Sequence, residues 1–151
     1  MTEADLNHDI GKSLTLYYKI PDDGSSVGIG GKRPFDGFGA LNGRPVFWEA
    51  KLLKSFESFN FKKLKSHQIQ NLIDYKKEIP NAFCLFVIGV IVSPRKVRLY
   101  VWSSLNDLLE IQKRKEEKNN IKAKELLTLT NYIEKTKGTF NFTEGINNGL
   151  L

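Results

Sequence analysis

Apolar positions along the chain change period several times, and each period predicts an element. Leu6, Ile10, Leu14 and Tyr17 recur at helical spacing and predict a first helix over residues 3–18. Pro21-Asp22-Asp23-Gly24-Ser25-Ser26 ends it and opens a loop. Phe35-Asp36-Gly37-Phe38 reads as a short strand. Asn42-Gly43 is the strongest local hairpin signal, because a two-residue turn of the right twist needs positive φ at both positions. Pro45 to Lys51 is then the return strand, with Phe47, Glu49 and Lys51 on one face and Val46, Trp48 and Ala50 on the other.

Residues 52–63, rich in Ser, Phe and Lys, read as a loop. Leu64 to Ile79 has a stripe of Ile69, Leu72, Ile73 and Ile79 and reads as a helix ended by Pro80. Phe83 to Val92 is apolar without alternation, as in a strand buried on both faces in mid-sheet. Val97 to Trp102 alternates as a half-buried strand after the Ser93-Pro94-Arg95-Lys96 turn. Ser104 with Asp107 forms a capping-box-like start to a helix through Lys118. Asn119-Asn120 breaks it, a further amphipathic helix is predicted over 121–137, and the Asn/Gly-rich tail, 138–151, is expected to fray. The expected fold is a single α/β domain over 1–151 with a mixed sheet of about four to five strands flanked by helices.

Composition narrows the function classes. Of 151 residues, 40% are hydrophobic and 26% charged, which argues against a disordered chain. The N-terminus is acidic without an apolar signal region, and the longest apolar run, Ala82 to Val92, is too short to span a bilayer. A soluble, cytoplasmic protein with no membrane partner is expected. Lys and Arg number 23 against 17 Asp and Glu, a net +6 that favours a polyanionic partner. Cys84, the single cysteine, cannot form an internal disulfide, and no Cys/His cluster suits zinc. The glycines between Gly24 and Gly43 match no phosphate cradle. Arg33 stands where a dinucleotide fingerprint needs its third Gly, and Ser26 and Arg33 break a Walker loop, so turn and bulge roles remain.

One constellation carries chemistry. Asp36 and Glu49 lie on the two arms of the predicted hairpin, and like charges brought that close are destabilising unless a cation shares them. Mg²⁺ takes oxygen ligands, often one or two carboxylates, and would polarise a phosphoryl oxygen and acidify water. Lys51, on the face of Glu49, could orient water or neutralise charge at phosphorus. The bare E-x-K pattern recurs at Glu116-Glu117-Lys118, where a charged helix gives it only a solvated face. Context separates the first copy: a strand, a tight turn before it, and an acid on the preceding arm.

Gln68 borders the apolar stripe of its helix, beside Leu64, Asn71, Leu72 and Tyr75, where its amide needs a partner unless it is merely a surface residue. His67 is either a phosphate contact or an ordinary first-turn residue. Lys32, Arg33, Arg44, Lys54, Lys62, Lys63 and Lys65 crowd the region as candidate DNA contacts. Phe56, Phe59 and Phe61 either floor a groove that stacks on exposed bases or cover the core. Lys113 to Lys118, mixed in sign, reads as an ordinary exposed helix face.

The run Phe35-Asp36-Gly37, Asn42-Gly43-Arg44, Trp48-Glu49-Ala50-Lys51 and Ser66-His67-Gln68-Ile69 resembles the PD-(D/E)XK nuclease superfamily, restriction-endonuclease-like in fold, and within it the RecU-type Holliday junction resolvases. An Asp, a Gly-containing hairpin, a strand ending in E-A-K and a helix opening with H-Q follow in the same order over about residues 35–75, with a looser echo in Asp9-Ile10 and Tyr17-Tyr18. The resemblance implies a metal-dependent endonuclease on four-way or other branched DNA, acting as a homodimer. It implies Mg²⁺ or Mn²⁺ on Asp36 and Glu49, Lys51 assisting the attacking water, Gln68 beside the site, and a first-helix acid completing it, Asp9 before Glu3 or Asp5. The chain departs from the family in the short segment ahead of Asp36, where a protruding stalk is reduced or missing, and in Phe35, where the family has Thr or Pro. Both departures bear on junction selectivity. A sequence-specific restriction-type endonuclease is the nearest rival, though little insertion is present to supply base-edge readers. A non-catalytic DNA-binding module on the same fold is the other.

Overall fold

The hairpin expected around Asn42-Gly43 is present in the computed structural model, which describes residues 1–19 and 33–151. The Pro21–Ser26 loop, the glycines from Gly24 to Gly31 and Lys32 lie outside the described residues. Asn42 and Gly43 both hold left-handed backbone, φ 51° and 75°, as a type I′ turn requires. The turn joins β2 (Gly37–Leu41) to β3 (Arg44–Lys54) in antiparallel register from Leu41↔Arg44 to Gly37↔Trp48. Asp36 stands one residue ahead of the strand in which it was expected.

β3 continues in parallel to β5 (Phe83–Ser93) after a crossover through α2 (Ser66–Glu78), and β5 pairs antiparallel with β6 (Lys96–Trp102). β5 is therefore flanked on both sides, which explains its unbroken apolar run. Among the described residues, outer strands β1 (Leu16–Lys19), β8 (Tyr132–Thr136) and β9 (Thr139–Phe140) extend this to a seven-stranded mixed sheet in the order β1-β2-β3-β5-β6-β8-β9. A separate pair, β4 (Ser58–Asn60) with β7 (Asn120–Lys122), forms a small second sheet.

Each face of the large sheet carries its own core. On one, Cys84, Phe86, Ile88, Val90 and Tyr100 pack against Ile69, Leu72 and Ile73 of α2 and Leu108 and Ile111 of α3 (Leu105–Glu116). On the other, Val46, Trp48, Ala50, Leu85 and Val87 pack with Leu6 and Ile10 of α1 (Glu3–Lys12) and with Phe142, which opens α5 (Phe142–Asn147). The alternation read along β3 holds: Trp48 and Ala50 enter the second core, while Phe47 joins the first.

The sheet has seven strands where about four to five were expected, because three outer strands come from segments read as helix or tail. The first helix ends at Lys12 rather than running through residue 18. The Ser13 hydroxyl donates to the Asp9 carbonyl and accepts the Phe140 N–H, and Tyr17 enters β1, its ring 5.9 Å from Trp48. Pairing with Gly37–Ala40 supplies a ladder that overrides the helical spacing. The segment 52–63 is not a plain loop either: β3 runs to Lys54, and β4 leads into a 3₁₀ turn at Phe61–Lys63. The helix expected over 121–137 is replaced by β7, the short α4 (Ala123–Leu126) and β8. The tail folds back as β9 and α5 with Phe140 and Phe142 buried.

The Tyr100 hydroxyl is buried beside the Arg98 guanidinium, which interacts with it, donates to Glu134 Oε1 at 3.2 Å and lies over the Tyr132 ring at 4.4 Å. Tyr100→Phe removes that polar contact and is expected to leave the fold intact while lowering urea stability by about 1 kcal/mol. Unchanged or higher stability would mean that the guanidinium does not engage the hydroxyl.

Candidate active site

Asp36 and Glu49 are the only buried charged side chains among the described residues, 6% and 1% exposed. The backbone brings them together in a particular way. Asp36 N–H donates to the Trp48 carbonyl (3.0 Å), so the chain leaves the β2–β3 ladder at this residue. Its side chain then takes over a backbone role: Oδ2 accepts the Ala50 N–H at 2.8 Å. The other oxygen, Oδ1, is paired with Arg33 at 2.9 Å. Asn71 of α2 donates to the Pro34 carbonyl at 3.2 Å, tying the segment that carries Asp36 to the crossover helix.

Glu49 reaches the same cluster from β3. Its Oε1 accepts from Gln68 Nε2 at 2.6 Å and lies 3.1 Å from Lys51 Nζ. Gln68 is itself oriented by the start of α2, because its Oε1 accepts the Lys65 N–H at 3.0 Å. Burial, reinforced by the Asp36 charge, pushes the Glu49 carboxyl up to about 7 even though Lys51 opposes the shift. Burial pulls the Lys51 ammonium down, but Glu49 and Glu3 outweigh it and its pKa is raised. Lys51 is therefore a fixed cation at neutral pH, not a general base.

The structure brings Asp36, Glu49, Lys51, Gln68 and Arg33 into one cluster. It does not bring Asp9 there. Asp9 pairs with Lys135 of β8, while Glu3, two turns earlier on α1, lies 3.9 Å from Lys51 Nζ. Arg44 is also elsewhere: it starts β3, lies 3.8 Å over the Phe83 ring and donates to the Asn81 carbonyl, with about 16 Å of strand between it and Glu49. Phe59 and Phe61 do not floor a groove. Both are buried edge-to-face at 5.1 Å against Phe86 and the first core, whereas Phe56 is exposed. Lys54, Lys62, Lys63 and Lys65 are exposed, and His67 is half-buried in the first turn of α2. The sequence marks Asn71 only as a helix neighbour of Gln68, one turn on, and ranks Glu3 behind Asp9.

Among the described residues no group of three or more His, Cys, Asp and Glu side chains is arranged to hold a metal ion. The donor chemistry nonetheless fits a hard divalent cation shared by two carboxylates and completed by water and phosphate oxygens. The fold forces Asp36 and Glu49 together at the cost of a raised Glu49 pKa, a conflict that such a cation removes. No helix of the described residues is long and apolar enough to cross a membrane.

No curated protein matches the sequence. Among solved structures, a similar chain is that in the 1.6 Å resolution structure of Archaeoglobus fulgidus Hjc, a Holliday junction resolvase from an archaeal hyperthermophile. It shares 14% identity, with 66% of this chain and 73% of that one covered and a TM-score of 0.42. The family model for RecU, recombination protein U, matches residues 29–148, which contain Arg33, Asp36, Glu49, Lys51 and Gln68, and the chain belongs to that family.

Proposed function

We propose that the protein is a divalent-metal-dependent endonuclease that hydrolyses phosphodiester bonds in four-way DNA junctions, acting as a homodimer whose two sites match the twofold symmetry of the junction. The observation that carries this reading is the convergence of Asp36, Glu49, Lys51 and Gln68 in one partly closed cluster. Asp36 and Glu49 would hold Mg²⁺, or Mn²⁺ in its place. The bound cation would supply Lewis acidity towards a phosphoryl oxygen and water. Gln68 fixes the rotamer of Glu49 by donating to Oε1. Lys51, kept protonated by its two carboxylates, places a positive charge where a phosphorane develops negative charge. Arg33 balances Asp36, and Glu3 takes the place of Asp9 as the first-helix acid beside the site.

The test sets a synthetic four-way junction beside the matching linear duplex, each with and without Mg²⁺. Cleavage of the junction alone, dependent on Mg²⁺ and lost in Asp36→Asn with binding retained, is the expected result. Cutting of linear duplex at one sequence would replace this reading with a restriction-type enzyme. Salt-dependent DNA affinity without cleavage, and without calorimetric Mg²⁺ or Mn²⁺ binding, would leave only a DNA-binding module.

A further inference from the structure

The run Lys113 to Lys118 reads in sequence as one solvated face, but the structure divides it. Arg114 folds back over the Phe61 ring (5.6 Å) and pairs with Glu110 (3.4 Å). Lys115 and Lys118 instead line a cleft of about 540 Å³ between the end of α3 and the first turn of α2, where they meet Lys62, Ser66 and His67. Glu116 is the one carboxylate among its lining residues, set against three lysines. Ser66 and His67 of the first turn of α2 line the cleft, and that turn contains no acidic residue to offset the positive end of the helix dipole. A hydrogen bond from Gln112 to Gln70 at 2.8 Å, within the cleft lining, fastens the two helices together. Lys118 holds a left-handed backbone, φ 56°, just past the helix end.

Sequence neighbours link the cleft to the candidate active site. Lys62 and Lys63 are consecutive on the 3₁₀ turn, and they serve two different cavities. Lys62 lines the α2–α3 cleft, while Lys63 lines a cavity of about 480 Å³ that also contains Lys51 and Glu3. Gln68, next to His67 of the cleft, is bonded to Glu49.

We infer that the α2–α3 cleft is a second phosphate-binding site, which takes the sugar-phosphate backbone of a DNA arm one step along from the strand at Lys51. The inference rests on the reading of DNA as substrate. Phosphate contacts of this type position an arm without reading its sequence. Lys115 and Lys118 are the decisive residues, because neither belongs to the carboxylate cluster.

The experiment measures the binding of a four-way junction against salt for the wild type, Lys115→Ala/Lys118→Ala, Lys115→Arg/Lys118→Arg and a control, Lys113→Ala/Lys124→Ala, in which both lysines are exposed and outside the cleft. Loss of two phosphate contacts should flatten the log–log salt dependence by about 1.8. The arginine pair should retain the wild-type slope, as should the control. Single-turnover cleavage at saturating protein should be unchanged in all, and matching thermal melts would exclude a folding defect. Equal slopes for the wild type and the alanine pair would overturn the second site while leaving the nuclease reading intact. A wild type that binds but never cleaves would end the nuclease reading and leave the cleft to be judged by its slopes.

Discussion

Replacing Glu49 by Gln is expected to abolish Mg²⁺-dependent cleavage and, in the same protein, to raise stability at alkaline pH when no divalent cation is present. The first effect follows from the proposed function, in which Glu49 is one of the two carboxylates that would hold the cation, and should reach about 10³-fold or more. The second follows from the folded-state pKa of about 7 against an ordinary 4.5. Below 4.5 the folded and unfolded chains are both protonated, and the folded state bears no cost. Between 4.5 and 7 the folded chain holds its proton more tightly than the unfolded one, so stability falls as pH rises, and above 7 the whole cost is present. That gap corresponds to about 3 kcal/mol at most. Glutamine cannot ionise, and it escapes the loss. Urea unfolding in EDTA at pH 5.5 and 8.5 checks this: the advantage of Glu49→Gln should grow with pH, and added Mg²⁺ should stabilise the wild type but not the variant. An advantage that shrinks towards pH 8.5 would refute the raised Glu49 pKa.

Gly37→Ala should be a damaging single-methyl change beside the site. A Cβ at Gly37 would stand 2.3 Å from Cζ2 of Trp48. That ring has no room to retreat, being fully buried and held by its own donation to Asn7 Oδ1 at 2.8 Å. The strand must lift instead, at a cost of about 3 kcal/mol. Asp36 is the adjacent residue, so its bond to the Ala50 N–H lengthens and the carboxylate moves off Glu49. Cleavage should fall together with stability. Gly43→Ala is the matched control, because its Cβ meets open space and only the φ of 75° is unfavourable. It should cost about 1 kcal/mol and leave cleavage as in the wild type. Denaturant unfolding beside junction cleavage measures both, and a Gly37→Ala protein that unfolds and cuts like the wild type would show the hairpin to have slack.

The parts of the fold that were legible in sequence are those in which local chemistry and tertiary packing agree. Asn42-Gly43 needs its unusual backbone, Phe83 to Val92 is apolar because both faces are covered, and Ser104 with Asp107 caps α3 as read. The hairpin is also what made Asp36, Glu49 and Lys51 readable as a group. Legibility ended where pairing partners are distant. Leu14 and Tyr17 fit a helical period as well as a strand, and β2 decided between them. Thr128, Thr130 and Asn131 are poor helix formers, yet the spacing of Ile121, Leu126 and Ile133 concealed the strand that β6 recruits. Arg44 carries the right charge for DNA but is held by Phe83 and Asn81, and the choice between Asp9 and Glu3 depended on Lys135, far along the chain.

Glu49 and Asp36 meet through a strand, a two-residue tip and a return strand, and this path is a molecular ruler of set length. One residue spliced into Gly37–Leu41 would turn Asp36 towards the opposite side of the sheet. Two would restore its facing but carry it about 7 Å along the strand. Evolution or an engineer is therefore left with the Asn42-Gly43 tip as the place where the hairpin can grow, because sequence added there hangs outside the ruler and leaves both acids in place.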